Sequence, residues 1–171
     1  TGRLVCLDTR TNEIKWQQDD LVGELGTDKQ GIFTLFVDRD NDIWMYSPLG
    51  IWVYNPEQEK WLSWLTNIIK RRSHNMVRAV SQDKQGRIWI GTDQDGIDIL
   101  DKKTGEVRQL RNKTGDERSL QNNTVMVLYE DSSETMWVGT YKKGISYFNE
   151  CAFKFGAEYI GDISCIEEDK E

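Results

Sequence analysis

One pattern is written three times along this chain. Its centres are Ile43-Trp44-Met45, Ile88-Trp89-Ile90 and Met136-Trp137-Val138. Each tryptophan follows an aspartate by six positions, from Asp38 to Trp44, Asp83 to Trp89 and Asp131 to Trp137. Each precedes a glycine by six or seven positions, at Gly50, Gly96 and Gly144. A short apolar run then closes at Asn55, Asp101 or Asn149, which sets the period at 46 to 48 residues. A unit of this length, built from short strands and turns, cannot bury its own apolar faces. It must stack on copies of itself.

The middle copy gives the local structure. Residues 75–83 are a β-rich run, and Asp83-Lys84-Gln85-Gly86 supplies a turn in which Gly86 is free to take positive φ. Residues 87–92 form a second strand, apolar on both faces. Asp93-Gln94-Asp95-Gly96 turns again, residues 97–101 are a third strand, Lys102-Lys103-Thr104-Gly105 is a third turn, and residues 106–110 are a fourth strand. Four antiparallel strands joined by short hairpins, with inner strands lacking a solvent face, describe one blade of a β-propeller.

The expected fold is therefore all-β, a propeller segment of three whole blades with partial blades at both ends. Residues 1–20 supply the third and fourth strands of a preceding blade. Whole blades span 21–66, 67–113 and 114–161, and 162–171 begin a following one. In the first whole blade the strands are expected at 32–38, 42–46, 50–55 and 60–64. The chain opens inside one repeat and closes where another begins, so a piece of a longer array is expected. With no run of about 18 apolar residues and no signal peptide, this segment is not expected to touch a membrane.

The formal charge of −7 is spread over loops and turns, which argues against nucleic acid but not against a neutral ligand such as a sugar. Cys6, Cys151 and Cys165 are an odd set with no C-x-x-C pair, and the expectation is free thiols packed as small hydrophobes.

The run Asp83-x-x-Gly86-x-Ile88-Trp89-Ile90-Gly91-Thr92-x-x-x-Gly96-Ile97 resembles the two-component regulator propeller repeat. It recurs from Asp131 through Trp137-Val138-Gly139-Thr140 to Gly144-Ile145. The earlier copy departs from it, with Met45-Tyr46-Ser47 after Trp44 and Asn41 at the turn glycine. The later copy has Glu134 at that turn position, where positive φ costs on the order of 1 kcal/mol. The resemblance implies the periplasmic sensor region of a membrane-anchored hybrid two-component histidine kinase of Bacteroides type. It also implies a response to oligosaccharides released from polysaccharides. The kinase, receiver and DNA-binding parts of such a protein do not occur in this sequence.

The motif residues are assigned structural roles. Trp44, Trp89 and Trp137 are expected at equivalent buried positions between blades. Gly91 and Gly139 let a neighbouring blade approach, and Asp38, Asp83 and Asp131 start turns by accepting backbone amides. Asp38-Arg39-Asp40-Asn41-Asp42 looks like the opening of a calcium loop but has Ile43 where the loop needs glycine and Leu49 where it needs glutamate. No metal and no cofactor are expected. With His74 the single histidine and no positioned carboxylate pair, no catalytic residues are assigned.

Ligand chemistry is expected on the face that carries the second-to-third-strand loops and the blade-to-blade connectors. Residues 67–75 hold the one basic cluster, and 111–123 form a long connector rich in hydrogen-bonding groups. Sugars favour an aromatic face with planar donors around it. The candidates are Tyr46, Arg71, Arg72, His74, Asn123, Tyr141 and Lys142. The leading reading is a non-catalytic sensing module that binds an oligosaccharide. A propeller enzyme, such as a lyase or quinone-dependent dehydrogenase, and a WD-type interaction scaffold are the alternatives. Exposed blade faces and strand edges at both ends predict self-association as a dimer.

Overall fold

The computed structural model describes residues 3–19, 32–48, 50–72, 76–149, 154–158 and 165–166. It begins with a hairpin of β1 (Leu4–Asp8) and β2 (Glu13–Gln18). Three four-stranded antiparallel sheets follow. The first holds β3 (Thr34–Val37), β4 (Ile43–Ser47), β5 (Gly50–Asn55) and β6 (Lys60–Trp61). The second holds β7 (Val77–Gln82), β8 (Ile88–Thr92), β9 (Ile97–Leu100) and β10 (Val107–Leu110). The third holds β11 (Val125–Glu130), β12 (Met136–Thr140), β13 (Gly144–Asn149) and β14 (Lys154–Glu158). Strand order equals chain order in each, so every sheet is a meander and reads as one propeller blade.

The second strands are buried along their whole length in the first two blades, because a blade stands on either side of them. Trp44 joins a cluster with Val80, Ile88, Ile90 and Leu100 of the second blade. Trp89 does the same with Val125, Leu128, Met136 and Val138 of the third. Each tryptophan therefore faces forward along the stack. On the other side of the first blade, Leu4 and Trp16 of the hairpin pack with Met45, Trp52 and Tyr54.

Several expectations are corrected. The fourth strand of the first blade stops at Trp61 instead of Trp64, and a helix runs over Ser63–Arg72 where a loop was expected. Leu62, Leu65 and Ile69, spaced at helical intervals, pack in one cluster with Trp44, Ile51 and Val53 of the first blade and Val80, Ile88 and Leu100 of the second. Trp137 is only half-buried, unlike Trp44 and Trp89, because among the described residues no blade lies on its forward side. Cys6 is half-buried and Cys165 exposed, so neither is packed as a core hydrophobe, and Cys151 lies outside the described residues. Residues 165 and 166 are in no strand, and the rest of the expected final strand lies outside the described residues.

Candidate functional site

A meander places the turns between strands one and two, and three and four, on one face. The loops between strands two and three open on the other face with the blade-to-blade connectors. The turn face is built from the Asp-x5-Trp spacing. Asp38 Oδ1 accepts from Asp40 N and Asp42 N at 3.0 Å, Asp83 Oδ1 from Arg87 N at 2.8 Å, and Asp131 Oδ1 from Thr135 N at 2.9 Å. The other carboxylate oxygen takes the indole N–H six residues on, at 2.8 Å in Trp44, 2.7 Å in Trp89 and 2.7 Å in Trp137. One side chain thus closes the turn and satisfies a buried donor in the next strand. Sequence reasoning found the turn role and missed the indole, although the constant six-residue spacing is its signal. Burial by itself raises the Asp131 pKa, but the Trp137 indole and the Thr135 and Ser133 amides outweigh it and hold the group below the ordinary range.

The turn itself requires a left-handed residue. Gly86 takes φ 86°, Asn41 and Glu134 each take φ 61°, and all three donate their amide to the carbonyl of the motif aspartate.

Blades are tied together on this face by a repeated bond. The amide after the motif aspartate donates to a side chain of the next blade, Arg39 N to Gln82 Oε1 at 2.8 Å and Lys84 N to Glu130 Oε1 at 3.0 Å. Burial pushes the Glu130 carboxyl up, and the Lys84 amide opposes that shift. Asp38, Asp40 and Asp42 do converge, with ligand atoms within 4.8 Å of one another. Lys102 of the second blade sits among them, its Nζ 2.6 Å from Asp38, 2.7 Å from Asp40 and 2.7 Å from Asp42. Burial alone would depress the Lys102 pKa, but the three carboxylates hold it well above the ordinary lysine value. The cation this acidic turn calls for is supplied by the chain itself.

A crevice of about 350 Å³ also opens on the turn face, between the second and third blades. Its charged groups are spoken for: Arg87 Nε lies 2.6 Å from Asp83, and Glu130 holds the Lys84 amide.

The loop face differs from blade to blade. In the second blade, Gly91 lets Val125 come so close that an added Cβ would lie 2.6 Å from Val125 Cγ1. Asp93 Oδ1, two residues on, receives Thr124 Oγ1 at 3.2 Å and closes the rim. In the first blade Tyr46 stands at the Gly91 position. It belongs to β4 and is buried between blades rather than carried on a loop, its hydroxyl hydrogen-bonded to the Val80 backbone and the Thr34 side chain. Burial, against those bonds, raises its pKa. Pro48 and Met76 take the places of Asp93 and Thr124, and Pro48 has no side-chain group to bridge the gap. A crevice of about 170 Å³ results, lined by Thr34, Tyr46, Ser47, Pro48, Met76 and Arg78 among others. Arg78 is oriented there by Asp93 at 2.7 Å.

Of the remaining candidates, Asn123 is engaged within its own connector and Tyr141 and Lys142 lie on the third blade. Arg71 and Arg72 end the helix, and His74 lies outside the described residues. In the connector 111–123, Asn123 Oδ1 accepts from Asn112 N at 2.7 Å, and its backbone carbonyl accepts from Gly96 N at 2.8 Å. Asn112 in turn donates to Leu120 O at 2.7 Å. That connector is a self-bonded plug, because a long polar segment satisfies its own backbone when packed against the blade. Tyr141 is exposed on the third blade, with Lys142 Nζ 4.9 Å from its ring centroid. Arg78 was not singled out from sequence, since only its juxtaposition with Tyr46 gives it meaning. Gly139 pairs with Val127 and Ile145 in the third sheet.

Residues 72–94 and 119–142 match the family model of the two component regulator propeller. No curated protein matches the chain. Among solved structures, the extracellular domain of a hybrid two component system from B. thetaiotaomicron superposes with TM-score 0.54. It is 20% identical over 69% of this chain and 16% of that one. Virginiamycin B lyase from Staphylococcus aureus superposes with TM-score 0.60, at 11% identity, over 92% of this chain and 48% of the lyase. PorZ of the type-IX secretion system of Porphyromonas gingivalis gives 0.58 at 12% identity, covering 90% and 24%. These likenesses establish the propeller fold, and the chain spans less than half the length of each.

Proposed function

From a chain that carries two-component regulator propeller repeats, we propose a non-catalytic ligand-sensing module. It is part of the periplasmic sensor region of a hybrid two-component histidine kinase and responds to oligosaccharides from polysaccharide breakdown. The repeat match and the fold shared with an extracellular two-component domain support this reading. Among the described residues, no helix is long and apolar enough to cross a membrane.

The observation that carries the ligand role is the crevice at Tyr46. It lies on the loop face, where the repeat departs from its own rule, and both of its walls come from different blades. A ligand held between Pro48 and Met76 touches two blades at once. Arg78 offers a planar set of donors, and Tyr46 and Met76 offer apolar surface for a pyranose face. A ligand that prefers one spacing of these walls shifts the population toward it, which is what a sensor requires.

Calorimetric titration of the full chain with a panel of neutral and anionic oligosaccharides tests this. Binding that weakens at least tenfold in Arg78→Ala and in Met76→Ala is expected. Unchanged affinity in both variants would move the site elsewhere, and no binding by any member of the panel would remove the ligand class. The likeness to a lyase is one of fold, so virginiamycin B incubated with the chain is expected to stay intact. Its cleavage would transfer the assignment to an enzyme.

A further inference from the structure

We propose that the crevice at Tyr46 selects an acidic saccharide, a uronate whose carboxylate is held by Arg78. This rests on the reading of that crevice as an oligosaccharide site and names the class of sugar it takes.

The charge of the lining sets the class. Among the described residues Arg78 is the one charged group on the crevice, and no carboxylate or amide side chain lines it. A neutral sugar presents many hydroxyl donors, and a guanidinium has no acceptor to offer them. Thr34 and Ser47 add hydroxyls, and Tyr46, Pro48 and Met76 add apolar surface. The crevice on the turn face is built the other way, with Asp83, Glu130 and Glu134 around Arg87. In a chain of formal charge −7, the lining at Tyr46 therefore carries the opposite sign.

The repeat shows how that sign arises. Pro48 and Asp93 hold the same place in their blades, four residues past Trp44 and Trp89. In the seam between the second and third blades this place carries a carboxylate, bonded to Thr124 Oγ1 at 3.2 Å. In the seam at Tyr46 it carries a proline, so the acid that would repel an anion is missing from that wall. Asp93 does not line the crevice, yet it orients what does. Its Oδ2 accepts from Arg78 Nη2 at 2.7 Å, and its amide donates to Met76 O at 2.9 Å. The same carboxylate offsets the charge of Arg78, so selectivity comes from direct bonds rather than from a long-range field. A guanidinium carries five N–H donors in a planar fork, and Asp93 takes a bond from one nitrogen of it. The Arg78 side chain is 38% exposed, which leaves the fork within reach of a ligand. A planar carboxylate accepts two of its N–H bonds side by side, and an ester of the same sugar loses the charge that strengthens them.

Calorimetric titration of the full chain with matched pairs tests this. The probes are di- and trisaccharides of galacturonate and of glucuronate, each beside its methyl ester. In at least one pair the acid is expected to bind at least tenfold more tightly than the ester. Arg78→Gln should erase that difference by weakening the acid while leaving the ester within about twofold. Pro48→Asp restores the acid of the repeat and should erase the difference too, and it serves alone if Arg78→Gln fails to fold. Esters that bind as tightly as acids, with both weakened by Met76→Ala, would overturn the acid selectivity and leave the oligosaccharide reading standing. A preference for the acid that survives both Arg78→Gln and Pro48→Asp would overturn the role of Arg78. No binding by any acid of the set would overturn the proposal, and the neutral sugars of the wider panel would then decide the oligosaccharide reading separately.

Discussion

Lys102 Nζ stands 2.6 Å from Asp38 Oδ2 across 64 positions of chain, binding the second blade to the first turn of the blade before it. The ammonium completes a cluster of three carboxylates that would otherwise repel one another. Asp38 and Asp42 are almost fully buried there, so neither can rely on water for compensation.

Replacing Lys102 with Met should therefore cost about 3–5 kcal/mol in urea unfolding at neutral pH, the usual penalty for leaving buried charge unpaired. The pH dependence should also change. The Lys102 hydrogen bond, helped by its charge, lowers the Asp40 pKa. A depressed carboxylate contributes stability above its unfolded pKa and loses it as pH falls through the folded one, so the wild type should weaken from about pH 5 to about pH 3. In Lys102→Met the bond that lowers the Asp40 pKa is gone, and the loss of stability over that window should be shallower. Parallel curves for the two proteins would sink this assignment.

Glu130 offers the opposite case. It receives the Lys84 amide as Gln82 receives that of Arg39, but burial raises its pKa. A raised folded pKa means stability that is complete below the unfolded value and is lost as pH rises through the folded value. Glu130→Gln keeps the bond and removes the charge. It should be more stable than wild type by roughly 0.5–1 kcal/mol at neutral pH, with the difference vanishing near pH 4. Thermal melts across that range would show it, and a variant less stable at neutral pH would contradict it.

Trp89→Ala should cost about 3–5 kcal/mol, the range for a fully buried large aromatic. Trp137→Ala should cost at least about 1 kcal/mol less, because its ring is already partly in solvent. Equal losses would mean that the two rings are buried alike in solution.

Gly91→Ala puts a Cβ 2.6 Å from Val125 Cγ1 and should destabilise by about 1–3 kcal/mol. Adding Val125→Ala should recover part of that loss, since it removes the opposing methyl. An additive double mutant would place the strain elsewhere.

The parts of this fold that were legible in sequence are those carried by local spacing. Asp83, Gly86, Trp89 and Gly96 fix a turn, a strand and a second turn within fourteen residues, and three copies repeat the message. The helix over Ser63–Arg72 was hidden by reading residues 60–64 as a strand. Leu62, Leu65, Thr66 and Ile69 nevertheless stand at helical spacing, and all four are buried. Lys102 could not be found that way, because its partners lie 60 to 64 positions off in another blade. Tyr46 was visible as a departure from the repeat, but its burial and its link to Arg78 depend on how two blades meet.

Binding at the Tyr46 crevice is tested most directly by backbone amide chemical shifts of the isotope-labelled full chain, titrated with the tightest oligosaccharide of the panel. The predicted result is saturable shifts clustered at Thr34, Ser47, Val77 and Arg78, on the two walls of the crevice. Shifts confined to Gln85, Glu130 and Ser133 around the crevice on the turn face, or no shifts at all, would contradict it.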